Sequence, residues 1–189
     1  MRLFTALWPA PDAVAALAAD VVPAGAPRGW RATAPASWHV TLAFHGEADP
    51  GVLARRLEVA ARGAVTPRLR IAGAGVFPRV RWAGLEVADP ERLTRLVTMA
   101  GGDPAAFVPH VSVLRLRLRP GPGADPDPPV TWAAHRGPWW RPGEVLLVAS
   151  EPGRGGSRYR PVHRVRLVVE QPADERRAEP RAQRRAGDP

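Results

Sequence analysis

The chain has 189 residues, 45% of them apolar, which suits one domain with a real core and excludes a large multidomain assembly. It has no cysteine, so disulfides, thiolate metal sites and a cysteine nucleophile are excluded, leaving histidine, carboxylate and hydroxyl chemistry. The formal net charge is +9, and all 27 basic residues are arginine, whose planar donor fork suits phosphate and points to an anionic partner such as a nucleotide or RNA.

Residues 2–8 read as a first strand, stopped by Pro9 and Pro11. Those prolines and Asp12 also interrupt what a signal peptide would need, and no uninterrupted apolar run of about 18 residues follows. The expectation is a cytoplasmic protein with no membrane segment. Asp12 is placed to cap a helix running to Val22, with Val14, Leu17, Ala18 and Val21 at helical spacing. Residues 23–35 read as a loop around Trp30. Residues 38–45 (WHVTLAFH) alternate as a strand with one buried face does, with Gly46 as its end.

Residues 52–62 form an amphipathic helix after Pro50. Strands at 68–72 and 80–87 flank a turn at 73–78, and Asp89 and Pro90 open a helix to Met99 that Gly101 and Gly102 terminate. Residues 107–118 alternate again, 120–129 form a Gly- and Pro-dense loop, and strands at 144–150 and 159–169 surround a turn at 152–157. Residues 1–170 therefore constitute the domain. Residues 171–189, with five arginines and four acids, are too poor in apolar side chains to stay folded. Seven or eight strands and three helices give an α+β fold in which helices cover antiparallel sheet.

One short pattern occurs twice, as His39-Val40-Thr41-Leu42 and His110-Val111-Ser112-Val113. Strand alternation puts each histidine on the same face as the hydroxyl two residues on, with the aliphatic pair facing the core. If the halves are related by an approximate two-fold axis, both pairs line one cleft. Two imidazoles with free pKa near 6.5 can hold one proton between them, one accepting from a nucleophile while the other donates to a leaving group. The hydroxyls of Thr41 and Ser112 can donate to non-bridging phosphoryl oxygens. This arrangement suits in-line displacement at a phosphodiester without a metal, and sets the two imidazoles roughly 5–7 Å apart.

The doubled pattern resembles the two-histidine phosphoesterase superfamily, and the whole layout resembles its RNA 2′,3′-cyclic phosphodiesterases, also known as 2′-5′ RNA ligases. The resemblance rests on RLFTALWP, WHVTLAFHGE, GVFPRVRW, FVPHVSVLRL and SEPGRGGSRYRPVHRVRL, and spans about residues 1–168. It implies two pseudo-symmetric α+β lobes with the active-site groove between them, no cofactor, and a monomer. It also implies that His39 protonates the leaving ribose oxygen, His110 activates water, and Thr41 and Ser112 bind the phosphate. The product would be a terminal 2′-phosphate, and an RNA 5′-hydroxyl replacing water would give ligation.

Arg115 matches an arginine often seen after the second motif and would be a phosphate contact. Strict alternation puts it on the opposite face, so it reaches the phosphate only through a bulge or twist. Val108 stands where the family often has a cation, and residues 94–106 look shorter than usual.

Two rival readings are a module that binds a nucleotide or RNA end without turning it over, and a two-histidine zinc site. Zinc would want a third protein ligand, and neither motif contains a carboxylate. Alternation puts His45 on the His39 face, either at the far end of the groove or in solvent. Arg79 and Arg81 read as solvated charges near it, and His135 and His163 as structural. Trp30, Trp82, Trp139, Trp140 and Tyr159 are core or rim packing that could also stack a base.

Overall fold

The computed structural model describes residues 1–21, 25–117, 119–153 and 156–170; the charged tail expected at 171–189 lies outside the described residues. The first strand, β1 (Arg2–Leu7), is buried at all but its first position. It has partners on both edges, β3 (Val40–Glu47) and β7 (Glu144–Gly153). Its alternation serves two cores. Leu3 and Leu7 join the main cluster, while Phe4 and Ala6 join a smaller one with Leu146 and Val148.

The helices α1 (Pro11–Val21), α2 (Pro50–Ala61) and α3 (Pro90–Met99) all put apolar stripes into the main cluster, through Leu17, Leu57 and Leu96 among others. They therefore cover one sheet face and leave the other to the smaller cluster. Asp49 caps α2 by accepting a hydrogen bond from the Val52 amide at 2.8 Å. Asp12 lies inside the first turn of α1 instead of preceding it, because the helix starts at Pro11, a residue suited to a first turn. No helix among the described residues is long and apolar enough to cross a membrane.

Among the described residues there are eight strands, adding β2 (Trp30–Ala32), β4 (Leu69–Phe77), β5 (Val80–Val87), β6 (His110–Leu116) and β8 (Gly156–Arg166). The sheet order is β4-β5-β6-β3-β1-β7-β8, with β2 pairing to β6. Each of these strand pairs is antiparallel, as expected for an α+β chain. The C-terminal hairpin β7–β8 thus completes the half begun by β1 and β3, while β2 and β4–β6 make the other half.

Four expectations are corrected. The segment around Trp30 is a strand, too short to show alternation. Gly46 is inside β3, where a positive φ of 63° accompanies the register shift between Leu3 and Phe4. Residues 73–77 continue β4, since Gly73 (φ 68°) absorbs a bulge and the reversal is at Pro78 and Arg79. The strands β7 and β8 extend into the segment read as a turn, pairing as far as Gly153 with Gly156.

Candidate active site

The two halves of the sheet meet at the pair of Val40 with Val111. These are the equivalent middle residues of the two repeated motifs, and both side chains are fully buried. Antiparallel register at that pair aligns His39 with Ser112 and Thr41 with His110, all four on the face opposite the valines. The histidines then sit on a diagonal, where Cβ spacing is ~7–8 Å or slightly less. The repeat is thus arranged about the Val40–Val111 pair like an approximate two-fold axis.

The halves repeat in finer detail. In the first, Thr5 pairs with Ala43 and Ala6 with Thr41, so Leu42 is an extra residue on β3. In the second, Arg81 pairs with Leu114 and Trp82 with Ser112, so Val113 is extra on β6. Both bulges fall at the fourth position of the motif. Each makes two consecutive apolar residues face the core and reverses the alternation beyond it.

Two consequences follow. Arg115 returns to the site face, where its guanidinium donates to Ser112 Oγ at 2.9 Å. Conversely, His45 is turned away from His39 and meets the buried Thr5 hydroxyl at 2.8 Å, which corrects the expectation that it shares the His39 face.

Both imidazoles are held by the same device. Nδ1 of His39 lies 2.7 Å from the Ser37 carbonyl, and Nδ1 of His110 lies 2.8 Å from the Val108 carbonyl. A carbonyl only accepts, so Nδ1 carries the hydrogen in each ring and Nε2 is the working nitrogen. Position 108 acts through its backbone, which explains how an exposed valine is accommodated there.

Aromatic rings wall both histidines. Phe4, Tyr159 and Trp8 lie 4.8, 4.9 and 5.6 Å from His39, and Phe77 and Trp82 lie 5.1 and 5.9 Å from His110, centroid to centroid. Burial is the main reason that His39 is pushed down to a pKa of about 4. Arg115 and His110 add to the effect and the Ser37 carbonyl opposes it. His110 is lowered for the same reason, with Arg115 adding and the Val108 carbonyl opposing. Both rings are therefore neutral near pH 7.

Cavities open on either side. One of about 400 Å³ lies beside His110 and Thr41, walled by Phe44, Phe77 and Val108. Another of about 310 Å³ runs from Ser37 and Tyr159 past Arg31, Arg115 and Arg158.

The other candidates lie elsewhere. Arg81 is buried, 4% exposed, pairs with Asp127 at 2.6 Å and stacks 4.6 Å from the Trp30 ring, so it is an internal strut and not a solvated charge. Arg79 donates to the Arg117 carbonyl. His135 pairs with Asp20 at 2.6 Å and His163 with Glu58 at 2.9 Å, consistent with structural roles. Trp30 and Trp140 are core, and Trp139 packs against Arg68 and Arg70. Among the described residues no three His, Asp or Glu side chains cluster as metal ligands.

The sequence reading gave Trp82 and Tyr159 as core or rim packing but missed Phe4, Trp8 and Phe77 as walls. Phe4 and Ala6 in β1 share a parity with Trp8 just beyond it, and that parity was the available signal for the His39 wall. The carbonyl anchors two residues before each histidine have no side-chain signature.

Residues 7–83 match the family model of LigT-like phosphoesterases. Solved structures extend the likeness over both motifs: E. coli LigT complexed with 3′-AMP is 26% identical, with 88% of this chain and 97% of that one covered at a TM-score of 0.69. The chain is similar to the LigT-like phosphoesterases over residues 7–83 and to solved LigT structures along most of its length. E. coli LigT complexed with phosphate gives 27% identity, 88% and 96% coverage and a TM-score of 0.68. The protein TT0787 of Thermus thermophilus gives 28%, 90% and 100%, and 0.62. No match is found among curated proteins. The family model ends before His110, so in this LigT-like chain the second motif rests on the structural likeness and on the geometry described above.

Proposed function

We propose that the protein hydrolyses 2′,3′-cyclic phosphate ends of RNA or nucleotides to 2′-phosphates, with His39 and His110 as metal-independent acid and base. The observation carrying this reading is the Val40–Val111 pair, which brings two Nε2 atoms and two hydroxyls to one face of the sheet. The existence of E. coli LigT complexes with phosphate and with 3′-AMP supports an anionic nucleotide ligand.

In the proposed step His110 Nε2 accepts a proton from water as the water oxygen bonds to phosphorus. The P–O3′ bond breaks in line, and His39 Nε2–H protonates the departing 3′-oxygen. The 2′-oxygen keeps the phosphate. Arg115 donates to Ser112 Oγ, which leaves the serine hydroxyl hydrogen to donate to a non-bridging oxygen, and Thr41 donates from the other side.

The low pKa of free His39 fits this scheme, because an anionic phosphodiester between the rings raises both pKa values by opposite charge. The catalytic proton is therefore taken up with the substrate. Ligation is the same displacement with an RNA 5′-hydroxyl in the place of water: its oxygen bonds to phosphorus, the P–O3′ bond breaks, and a 2′-5′ diester with a free 3′-hydroxyl results.

The test is turnover of adenosine 2′,3′-cyclic phosphate by purified protein in excess chelator. The expected product is the 2′-monophosphate, with turnover lowered by about 10²- to 10⁴-fold in His39→Ala or His110→Ala. Activity lost to the chelator and restored by zinc would overturn the metal-independent mechanism. Binding without turnover would favour the non-catalytic reading.

A further inference from the structure

Two of the rings around His39 meet it nearly face to face. The ladder between β1 and β3 ends at the pair of Leu7 with Val40, which leaves Trp8 and His39 as the next neighbours along it. The Trp8 ring is tilted by 31° from the imidazole and the Phe4 ring by 33°, with centroids 5.6 and 4.8 Å away. Between those two positions stands Ala6, whose side chain ends at Cβ and leaves room above it for the imidazole. His110 has no such neighbour, since Phe77 stands at 87° to it and Trp82 at 52°. An aromatic face attracts a cation held within about 6 Å of its centroid, and more strongly where water is excluded. The stacked pair therefore favours imidazolium over imidazole at His39.

We infer that Trp8 is a positioning residue for the proton donor: with Phe4 it stacks on His39 and stabilises the imidazolium that forms once a phosphate lies between the histidines. Its consequence for turnover rests on the proposed function; the stacking does not. The groups facing His39 from other elements are Arg115 and His110 of β6, which oppose its protonation, and the Tyr159 phenol of β8, whose ring is near-perpendicular at 79°. Burial opposes protonation most, and the Ser37 carbonyl favours it. The β1 side contributes only the uncharged rings of Phe4 and Trp8. Of these Phe4 is buried in the smaller core and Trp8 packs at its margin, so Trp8 is the ring that can be exchanged without opening that core. The slot thus keeps His39 neutral while empty and supports its charge when the anion arrives.

The experiment follows both imidazoles by NMR titration of the full chain, free and saturated with inorganic phosphate, in the parent protein, Trp8→Leu and Trp8→Phe. Leucine keeps an apolar side chain beside the imidazole and removes the aromatic face, whereas phenylalanine restores a face. The pKa of phosphate-bound His39 should fall by about half a unit or more in Trp8→Leu, the scale of one cation–π contact, with little change at His110. It should return toward the parent value in Trp8→Phe. A merely structural role gives the opposite sign, because looser packing admits water and raises the pKa of a buried imidazole. In turnover of adenosine 2′,3′-cyclic phosphate the acid must be protonated, so the basic limb of the kcat profile should move to lower pH by the same amount in Trp8→Leu.

An unchanged or raised His39 pKa in Trp8→Leu would overturn the inference, as would a fall that Trp8→Phe does not reverse. No rise of the parent His39 pKa on adding phosphate would overturn it equally. If the parent protein turns over no cyclic phosphate, the proposed reaction fails, while the titration of Trp8→Leu still decides the stacking.

Discussion

His39 and His110 share a backbone device and differ in surroundings. Each follows a carbonyl that holds its Nδ1, each precedes a hydroxyl by two residues, and each strand bulges at the fourth motif position. Yet His39 lies among Phe4, Trp8 and Tyr159 in the smaller core, whereas His110 borders an open cavity with the exposed Phe44 and Val108 on its rim. The motif position that carries Arg115 in the second half carries Phe44 in the first, so the positive charge is one-sided. A doubled motif thus supplies two similar bases, and the unlike residues around them make one ring differ from the other.

The largest test of this comparison is removal of either ring. His39→Ala and His110→Ala should each lower kcat by about 10²- to 10⁴-fold, the usual contribution of a positioned acid or base. A loss confined to one variant would break the symmetry that the bulges and anchors imply.

Next in size is acid stability. The pKa of folded His39, about 4, lies below its unfolded value of 6.5, so the unfolded chain binds more protons between those values. The associated stability is fully present above pH 6.5 and is lost as pH falls toward 4. At 1.36 kcal/mol per unit it reaches at most about 3 kcal/mol. Denaturant melts across that window should show a shallower pH slope in His39→Gln than in the parent protein, while a parallel slope would contradict the assignment.

Arg115→Gln should lower kcat/KM by about tenfold or more through loss of a charged hydrogen bond. It should also raise the pKa of both histidines, since Arg115 depresses each. Imidazole NMR titration reads that joint upward shift, and a shift of His110 alone would break the claim that one guanidinium serves both halves.

The smallest expected effect concerns the His110 wall. A Cβ on Gly75 would lie 2.1 Å from the Trp82 ring, so Gly75→Ala must displace that ring. The cost should fall within about 1–3 kcal/mol, as for overpacking elsewhere, with kcat reduced and His39 untouched.

The alternating strands and both histidine motifs were legible in the sequence because period-two patterning and a repeated tetrapeptide are local signals. Pairing was not, since nothing local states that β7 and β8 join the half containing β1 and β3. Arg115 could be placed only conditionally. The bulge at Val113 leaves no trace in composition, yet it decides which face the arginine occupies. His45 was misplaced by the equivalent bulge at Leu42. Trp30–Ala32 escaped notice because three residues cannot display a period.

The most direct measurement is a side-chain NMR titration of both imidazoles against adenosine 2′-monophosphate, the proposed product. One phosphate held between the rings should raise the pKa of His39 and His110 together, both shifts saturating at one equivalent. A phosphate that moves only one ring, or moves them at different stoichiometries, would contradict convergence on a single site.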